Sequence, residues 1–437
     1  MTTTITMTTF ISIYKNIGGF MIKATLLIIL ISSFMSSSAQ MQRFPKPEFE
    51  TGYEYPTVEA PEPRSTSLEF IDVGVLLLVM SLAAWFALKR RSRKGILWLS
   101  VFSLIYFGFY REGCVCSIGA IQNVALTLFD PSYAISIPII LFFVLPLLFS
   151  LLFGRVFCAA ACPLGVIQDL VIIKPITIPA WLNKSLGFIP YIYLGLAVLM
   201  AATASDFIIC RYDPFIGIFR MGAEFSMIIL GIAFLLMGLF VARPYCRFLC
   251  PYGVLLGWMS KFSKHHISIT PSECIQCKLC DHSCPFNVID EPTEALKPEE
   301  KQYNKRRFTL FALLIPVWML VAGYALSLAH PFISKAHPDV YMAELLITQP
   351  EIKNDTNNLD VQTFLASGRT MEQLVDDAKT IRTKYYTGSW ILGAFLGLAL
   401  GLMLMNHFVV RRRTDYTPNR TGCYSCGRCM DYCPVKK

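Results

Sequence analysis

Residues 274–285 read Cys-Ile-Gln-Cys-Lys-Leu-Cys-Asp-His-Ser-Cys-Pro, and residues 423–434 read Cys-Tyr-Ser-Cys-Gly-Arg-Cys-Met-Asp-Tyr-Cys-Pro. Both stretches have the spacing C-x2-C-x2-C-x3-C-P, which is typical of bacterial ferredoxin loops around a [4Fe–4S] cluster. Closely spaced cysteines let one short loop reach three corners of an iron–sulfur cube. Zinc sites normally take one cysteine pair from each of two separate places in the chain. The two stretches, called here ferredoxin run 1 and ferredoxin run 2, therefore predict two [4Fe–4S] clusters.

The fourth cysteine of such a run usually binds the other cluster of a two-cluster ferredoxin. We therefore predict that the two runs form one module and exchange their fourth ligands. One cluster would be held by Cys274, Cys277, Cys280 and Cys433, and the other by Cys423, Cys426, Cys429 and Cys284.

The composition of the 437-residue chain is that of a membrane protein. Hydrophobic residues make up 54% of it and charged residues only 16%, so its apolar surface exceeds what a water-soluble core can bury. The formal net charge is +9, but the basic residues flank apolar segments instead of forming a patch on a polar surface. That distribution indicates contact with membrane lipid and argues against nucleic acid as a partner.

Seven apolar segments approach the ~20 residues that a membrane-spanning helix needs. They are residues 71–88, 95–110, 135–153, 188–206, 225–242, 308–329 and 388–410. We therefore predict a mainly α fold, a polytopic bundle of about seven membrane helices with a cytoplasmic, ferredoxin-like two-cluster module. The last two spans would form a hairpin that returns ferredoxin run 2 to run 1.

Basic residues predict the orientation of the bundle. Counted alternately along the spans, the groups at 89–94, 174–184, 261–264, 305–307 and 411–413 all fall on one side, which the positive-inside rule assigns to the cytoplasm. Both ferredoxin runs then face the cytoplasm as well. Because that compartment is reducing, their cysteines should be thiolate ligands and not disulfides.

The same pattern divides the chain into segments. Lys23 followed by the apolar residues 24–34 resembles a secretory signal, so residues 1–40 are predicted to be a signal peptide or an N-terminal anchor. Residues 41–70 are rich in Pro and Glu and predict a periplasmic linker. The remaining segments are a five-span membrane domain (71–260), the ferredoxin half with run 1 (261–306), the two-span hairpin (307–410) and the ferredoxin half with run 2 (411–437).

A second cysteine pattern occurs twice, at residues 154–166 and 242–254. Both copies contain R-x-[FY]-C-x3-C-P-x-G-V, end an apolar span and are predicted at the cytoplasmic membrane edge. Their cysteines are Cys158, Cys162, Cys246 and Cys250. Four thiolates suffice for one further iron–sulfur or metal centre between helices, but a tight crossing of small residues explains the pattern too. Arg155 and Arg243 would offset the negative charge of such a centre or simply extend to the membrane surface.

A weaker third copy carries Cys114 and Cys116, and its residues 116–122 resemble residues 162–168. It falls on the predicted periplasmic edge, where Cys210 also ends a span. These three cysteines are candidates for a metal site, for the docking of a redox partner, or for a plain disulfide.

In the order of these motifs the chain resembles the NosR/NapH-type membrane polyferredoxins, which serve periplasmic nitrous-oxide and nitrate reduction. The resemblance covers residues 71–437 and rests on both C-x3-C-P motifs and both ferredoxin runs. It implies electron exchange with quinol and with periplasmic redox proteins, as a quinol dehydrogenase or an electron-transfer subunit of an oxidoreductase system. Larger members carry flavin on an S-G-A-T motif. Residues 367–370 depart from that motif, so no flavin is expected.

The sequence thus predicts a membrane-bound iron–sulfur protein of the bacterial inner membrane, with its N-terminus in the periplasm after processing. It would relay electrons between quinol or a cytoplasmic donor and a periplasmic partner such as a respiratory reductase, alongside other respiratory subunits. Two alternatives stay open: an assembly or redox-sensing factor for a respiratory metalloenzyme, and a metal-bound scaffold without turnover.

Overall fold

The structure, a computed structural model, describes residues 65–113, 116–222, 224–270, 274–293, 298–354, 358–408 and 413–435. The predicted signal or anchor at 1–40, most of the linker at 41–70, and Cys114 lie outside the described residues. The end of the predicted linker differs from the prediction, because a helix already begins at Thr66. Leu68 and Phe70 extend the apolar run of the first span toward the N-terminus, which favours helix over an extended linker.

The elements are as follows. The first twelve helices are α1 (Thr66–Ala84), α2 (Arg93–Ser103), α3 (Ala120–Phe129), α4 (Ile137–Phe153), α5 (Pro163–Leu170), α6 (Ala180–Leu186), α7 (Ile189–Ala202), α8 (Ile208–Arg211), α9 (Ile216–Arg220), α10 (Phe225–Gly238), α11 (Pro244–Phe248) and α12 (Pro251–Lys261). The later elements are α13 (Leu279–Ser283), β1 (Ile289–Asp290), α14 (Pro298–Leu328), α15 (His330–Ile333), α16 (Pro338–Thr348), α17 (Leu359–Ala366), α18 (Met371–Phe408), β2 (Thr417–Pro418) and α19 (Arg428–Tyr432). π-Helical turns cover Trp85–Lys89, Leu104–Tyr110 and Phe157–Ala161, and 3-10 turns cover Ser334–Ala336 and Pro350–Asn354.

Four helices in the described part of the chain are long and apolar enough to cross a membrane. They are Thr66–Lys89, Trp181–Ala202, Gln302–Leu328 and Met371–Phe408, at the first, fourth, sixth and seventh predicted spans. The third and fifth predicted spans are α4 and α10, of 17 and 14 residues, or about 26 and 21 Å at 1.5 Å per residue. The second span is α2 with its π-helical extension. The short apolar helix α3 was not predicted.

Prolines start several helices. Pro163 and Pro251 are the first residues of α5 and α12, and the preceding Cys162 and Cys250 are their N-caps. Proline fits the first helical position because the N–H that it lacks would have no helical partner there.

Helices α14 and α18 pack along their length as the predicted hairpin. Glycines make the close packing possible: a Cβ at Gly393 would collide with the carbonyl of Ala322, and one at Gly397 with the carbonyl of Trp318. Small residues four apart let two helix backbones touch inside a membrane. The hairpin brings the chain after α18 back to the segment that carries ferredoxin run 1.

Two connecting segments of the N-terminal bundle fold back into its core. The carbonyl of Pro214, before α9, lies against the middle of α10, where a Cβ on Gly231 would be only 2.6 Å away. The segment after α10 also turns inward, and the rings of Phe215 and Tyr245 meet edge to face with centroids 5.4 Å apart. Irregular backbone is tolerated at membrane depth when protein surrounds it. The C-x3-C-P repeats and the region of Cys116 are predicted for opposite membrane edges, but cysteines of both belong to or pack against one hydrophobic core.

The two ferredoxin halves form one module. Strands β1 and β2 pair antiparallel, Ile289 with Pro418 and Asp290 with Thr417, and α13 packs against α19. Arg413 pairs with Asp290 at 2.7 Å. Residues on either side of the α14–α18 hairpin thus assemble into a single unit that carries both runs.

Candidate metal centres

The first three cysteines of ferredoxin run 1 line one cavity together with the last cysteine of run 2. The lining consists of Cys274, Cys277, Cys280 and Cys433, with Ile269, Thr270, Ile275, Lys278, Tyr416 and Val435 around them. Gln276 and Lys278 have positive φ angles of 53° and 62°. These left-handed residues curl the run so that its cysteines face a common space.

Ferredoxin run 2 builds a second cavity in the same way. Its lining includes Cys423, Cys426, Cys429 and Cys284, with Ile267, Phe286, Val288, Ile289, Pro418 and Tyr424 among the other residues. Ser425 and Gly427 have positive φ angles of 55° and 75°, and they occupy the same two positions as the left-handed residues of run 1. Each cavity thus gathers three cysteines of one run and the fourth of the other.

The number of cysteines in each cavity matches an iron–sulfur cube, which takes one thiolate on each of its four iron atoms. Within the described residues, no group of three His, Cys, Asp or Glu side chains is placed to hold a single metal ion. Burial raises the pKa of Cys280 to about 11 and that of Cys423 to about 12. Such thiols ionise at neutral pH only when a metal takes the place of the proton.

The four cysteines of the C-x3-C-P repeats also come together. Cys162 and Cys250 are buried and Cys158 and Cys246 are half-buried, and all four belong to or pack against one hydrophobic core. The Nε2 of Gln168 donates a hydrogen bond of 3.3 Å to the sulfur of Cys246. We call these four cysteines the membrane tetrad.

The two repeats interlock reciprocally. Arg243 of the second repeat lies against Gly165 of the first, where a Cβ would be 3.1 Å from its Nη1. Arg155 of the first repeat lies against Gly253 of the second, where a Cβ would be 3.0 Å from its Nη2. A close crossing at small residues, the alternative explanation of the repeat, is therefore present, and the four cysteines of the tetrad lie beside it.

Arg243 is fully buried and fully partnered. Its Nε donates to Asp169 at 2.8 Å, its Nη2 bonds the other oxygen of the same carboxylate, and its Nη1 donates to the carbonyl oxygen of Cys158 at 2.5 Å. A bidentate arginine–carboxylate pair of this kind is both strong and geometrically specific. Arg243 thus ties the second repeat to the backbone of the first.

Arg155 is also buried, at 5% exposure, but it lacks a carboxylate partner among the described residues. Its Nη1 donates to the carbonyl of Thr421 at 3.1 Å, and its Nε is unpartnered. Its Nη2 lies against Gly253, three residues after Cys250. The surface-extending role considered for Arg155 and Arg243 is wrong, because both are buried. Since a buried cation is costly without an anion, Arg155 fits a tetrad whose thiols are ionised on a metal centre.

Tyr424 joins the ferredoxin module to the membrane tetrad. Its hydroxyl donates to the carbonyl of Cys246 at 3.2 Å. Two guanidinium groups lie over its ring, with Cζ of Arg155 at 4.5 Å and Cζ of Arg243 at 5.3 Å from the ring centroid. The ring also packs against that of Phe286, with the two centroids 4.7 Å apart.

This aromatic pair separates two sets of cysteines. Cys284 and Cys426 of the second cavity, and Cys158 and Cys246 of the tetrad, all pack against the small cluster that contains Phe286 and Tyr424. One layer of side chains therefore lies between the second cavity and the tetrad.

The outer cysteines form a separate pair. A Cβ placed on Gly119 would lie 2.9 Å from the sulfur of Cys210 and 3.8 Å from that of Cys116. Both thiols are free and Cys210 is exposed. Cys114, the third predicted member, lies outside the described residues, so the structure brings together two of the three.

Sequence reasoning missed Gln168, Asp169 and Tyr424. Gln168 accepts a hydrogen bond of 3.0 Å from the amide of Tyr245 and so fixes the turn before Cys246. Its recurrence as Gln122 in the third copy was the available signal. Asp169 and Arg243 are brought together by the fold, and the sequence around each residue contains no pattern that predicts their pairing.

A sequence family described as a 4Fe-4S binding domain matches residues 135–188 and 224–270. These two segments contain the whole membrane tetrad and stop before ferredoxin run 1. An uncharacterized protein of Methanocaldococcus jannaschii is 30% identical over 207 residues, which cover 45% of this chain and 82% of that protein. No solved structure matches the chain.

Two bacterial proteins are similar over a larger share of the chain. Protein NirI of Paracoccus denitrificans is 28% identical over 52% of the chain, and the regulatory protein NosR of Pseudomonas aeruginosa is 29% identical over 53%. The chain spans only 36% of the length of each. The chain belongs to the family of NosR/NapH-type membrane ferredoxin proteins that carry this 4Fe-4S binding domain, as its motifs predicted. It is therefore a membrane protein of an iron–sulfur electron-transport family.

Proposed function

We propose that this protein carries electrons between quinol or a cytoplasmic donor and a redox partner on the periplasmic side of the inner membrane. The observation that carries the proposal is the unbroken contact from the two ferredoxin cavities, through Phe286 and Tyr424, to the membrane tetrad. A storage or scaffold protein has no need for such alignment of sulfur sites.

Two [4Fe–4S] clusters would be held by the two four-cysteine sets of the cavities, with the fourth ligands exchanged. When bound, they supply one-electron carriers at potentials that the surrounding protein tunes. The chain's own residues fix four cysteines around each cavity. A third centre would be held by the tetrad, which the matched 4Fe-4S binding segments contain in full.

The short helices support a route across the membrane. The apolar layer of a bilayer is ~30 Å thick, whereas α10 has only 14 residues. The segments beyond its two ends fold inward and touch through Phe215 and Tyr245. The four cysteines of the tetrad and Cys116 thus belong to or pack against one hydrophobic core, which favours stepwise electron transfer.

A cavity beside the tetrad is a candidate binding place for the donor. It is lined by side chains of both the membrane bundle and the module, including Arg155, Asn183, Tyr191, Cys246, Arg247, Cys250 and Tyr424. Arg247 donates from Nε to Asn183 at 3.0 Å, while its Nη2 is unpartnered. A mixed apolar and polar cavity with a free donor suits a quinol head group.

The proposal is tested by electron paramagnetic resonance during a redox titration of the anaerobically purified protein. Two [4Fe–4S] signals are expected from the cavities, and a further signal from the tetrad. In the double variant Cys158→Ser, Cys246→Ser, the two cavity signals should persist while reduction of an external acceptor stops. Unchanged electron transfer in that variant would exclude the route through the tetrad.

The alternative role, a redox-sensing or assembly factor, is supported by the name of one relative, a regulatory protein. The two roles differ in flux. A carrier should reduce a soluble external acceptor over many turnovers when membranes are supplied with quinol. A sensor should take up a fixed number of electrons per molecule and then stop.

A further inference from the structure

The third copy of the cysteine pattern reproduces the packing of the first. Gln168 stands six residues after Cys162, and its Oε1 accepts a hydrogen bond of 3.0 Å from the amide that precedes Cys246. Gln122 stands six residues after Cys116, and its Oε1 accepts a hydrogen bond of 2.9 Å from the amide that precedes Cys210. Both glutamines are fully buried. The outer pair is therefore built like half of the membrane tetrad.

The outer site nevertheless lacks two sulfurs. The residue four before Cys162 is Cys158, but the residue four before Cys116 is Glu112. The residue four after Cys246 is Cys250, but the residue four after Cys210 is Pro214. At these positions the outer site has only two thiols, which can form a disulfide but not a four-thiolate centre.

A buried carboxylate accompanies the two thiols. Asp213 is 3% exposed, and its Oδ1 accepts hydrogen bonds from the amides of Phe215 at 2.9 Å and Ile216 at 3.4 Å. Its Oδ2 has no partner within the described residues, and Asp213 stands three residues after Cys210 in the chain. An unpartnered buried oxygen is costly unless it serves a group beside it.

We propose that Cys116 and Cys210 are a redox-active dithiol/disulfide pair that passes electrons to a disulfide-bearing protein outside the membrane. This proposal rests on the proposed electron-transfer function. Cys210 is exposed and Cys116 is half-buried, which suits a pair with one attacking and one resolving thiol. Gly119 keeps the space between them open, since a methyl group there would lie 2.9 Å from the sulfur of Cys210.

The step balances as a two-electron exchange. Cys210 gives its proton to water, and its thiolate attacks the partner's disulfide to form a mixed disulfide, releasing one partner thiolate. Cys116 then attacks Cys210, gives its proton to Asp213, and releases the partner's second thiolate. The two partner thiolates take up the two protons that Cys210 and Cys116 have lost, so the products are the Cys116–Cys210 disulfide and the partner's dithiol. Two electrons, delivered singly by the iron–sulfur route, and two protons regenerate the pair.

The contacts connect this pair to the proposed route. Asp213 binds the amide of Phe215, the ring of Phe215 meets that of Tyr245, and Tyr245 directly precedes Cys246 of the tetrad. A few side chains thus link the outer pair to the inner centre.

The test uses the full-length protein in membranes, oxidised with diamide, alkylated and analysed by mass spectrometry of its peptides. A Cys116–Cys210 disulfide is expected, and Gly119→Ala should reduce its yield at least several-fold. The matched control is Leu128→Ala, at an exposed position of α3, the helix that Gly119 caps. This variant should leave the disulfide yield unchanged. A link of either residue to Cys114, or zinc retained by these cysteines, would overturn the proposal.

A second arm separates the pair from the route that feeds it. After removal of diamide, reduction of the clusters with dithionite should reopen the disulfide in the wild type but at least tenfold more slowly in a Cys284→Ala, Cys433→Ala variant. Equal rates would show that the clusters do not feed the pair and would overturn its place in the route. The disulfide found in the first arm would still stand, so the two failures are distinguishable.

Discussion

Arg243 donates a hydrogen bond of 2.5 Å to the carbonyl oxygen of Cys158, a residue of the preceding repeat. The same guanidinium holds Asp169 in a bidentate pair. One side chain therefore sets both the crossing of the two repeats and the position of the first tetrad cysteine.

We expect Arg243→Gln to destabilise the membrane bundle. The change leaves the Asp169 carboxylate without its cation, and breaking a buried ion pair from one side costs about 3–5 kcal/mol. Arg243→Lys should rescue little, because an ammonium group cannot reproduce the two-pronged contact. The measurement is thermal unfolding of the detergent-solubilised protein.

The matched control is Arg211→Gln. Arg211 pairs with Asp206 at 3.0 Å, but its side chain is 65% exposed, so the loss should be below about 1 kcal/mol. Equal losses for the two variants would contradict the assignment of Arg243 as the tie between the repeats.

The proposed exchange of the fourth ligands predicts which signal each cysteine controls. Cys433→Ala should weaken or abolish the cluster held by run 1, although residue 433 belongs to run 2. Cys284→Ala should do the same to the cluster of run 2. Electron paramagnetic resonance of each variant, compared with Cys277→Ala and Cys426→Ala, identifies the affected centre. If Cys433→Ala removed the same signal as Cys426→Ala, each run would bind its own cluster.

The glycine contacts of the α14–α18 hairpin predict a long-range effect on the clusters. Gly397→Leu would force the two helices apart at Trp318 and displace the tail that carries run 2. We expect at least a twofold loss of iron per protein, measured by chemical analysis. Gly74→Leu is the control, because a side chain on Gly74 of α1 meets nothing within 4 Å. Full iron content in Gly397→Leu would show that the module does not depend on the hairpin.

His266 predicts a sensitivity to acid. Burial and the nearby charge of Arg420 lower its pKa from 6.5 to about 4, and neither ring nitrogen has a partner within the described residues. The folded protein thus resists protonation of this histidine more than the unfolded chain does. Its contribution to stability, at most about 3 kcal/mol, is complete above pH ~6.5 and is lost as the pH falls toward 4.

We therefore expect His266→Leu to flatten the decline of the melting temperature between pH 6.5 and 4. His265→Leu changes the exposed neighbour and should retain the decline of the wild type. The protein's thermal stability across this pH range is the measurement. A decline in His266→Leu as steep as in the wild type would assign the acid sensitivity to other groups.

Local pattern was enough to predict the long apolar helices and the ferredoxin runs. The length of the apolar segments predicted α1, α14 and α18. The cysteine spacing predicted two short loops of the same shape, and both runs have left-handed residues at the same two positions. The two-residue strands β1 and β2 carry no periodic signal and could not be predicted. Their pairing follows from the return of the chain by the hairpin.

The inward folding of the segments beside α10 was also beyond the sequence. A hydropathy pattern identifies apolar residues but not what buries them. Tyr245 and Phe215 are buried by contact with each other and do not belong to a membrane-spanning helix. The sequence predicts the tetrad at the end of two apolar spans, and the structure adds that its cysteines pack into the same core as Phe215 and Tyr245.

The mixing of both runs in each cavity has a consequence for biosynthesis. A ribosome translates run 1 long before run 2, and the α14–α18 hairpin must enter the bilayer in between. Neither four-cysteine set is complete until residues 423–433 have been translated and have folded back. Iron could therefore be bound by a complete set only after run 2, which contains α19, has been translated. A chain truncated before residue 423 would have two incomplete ligand sets.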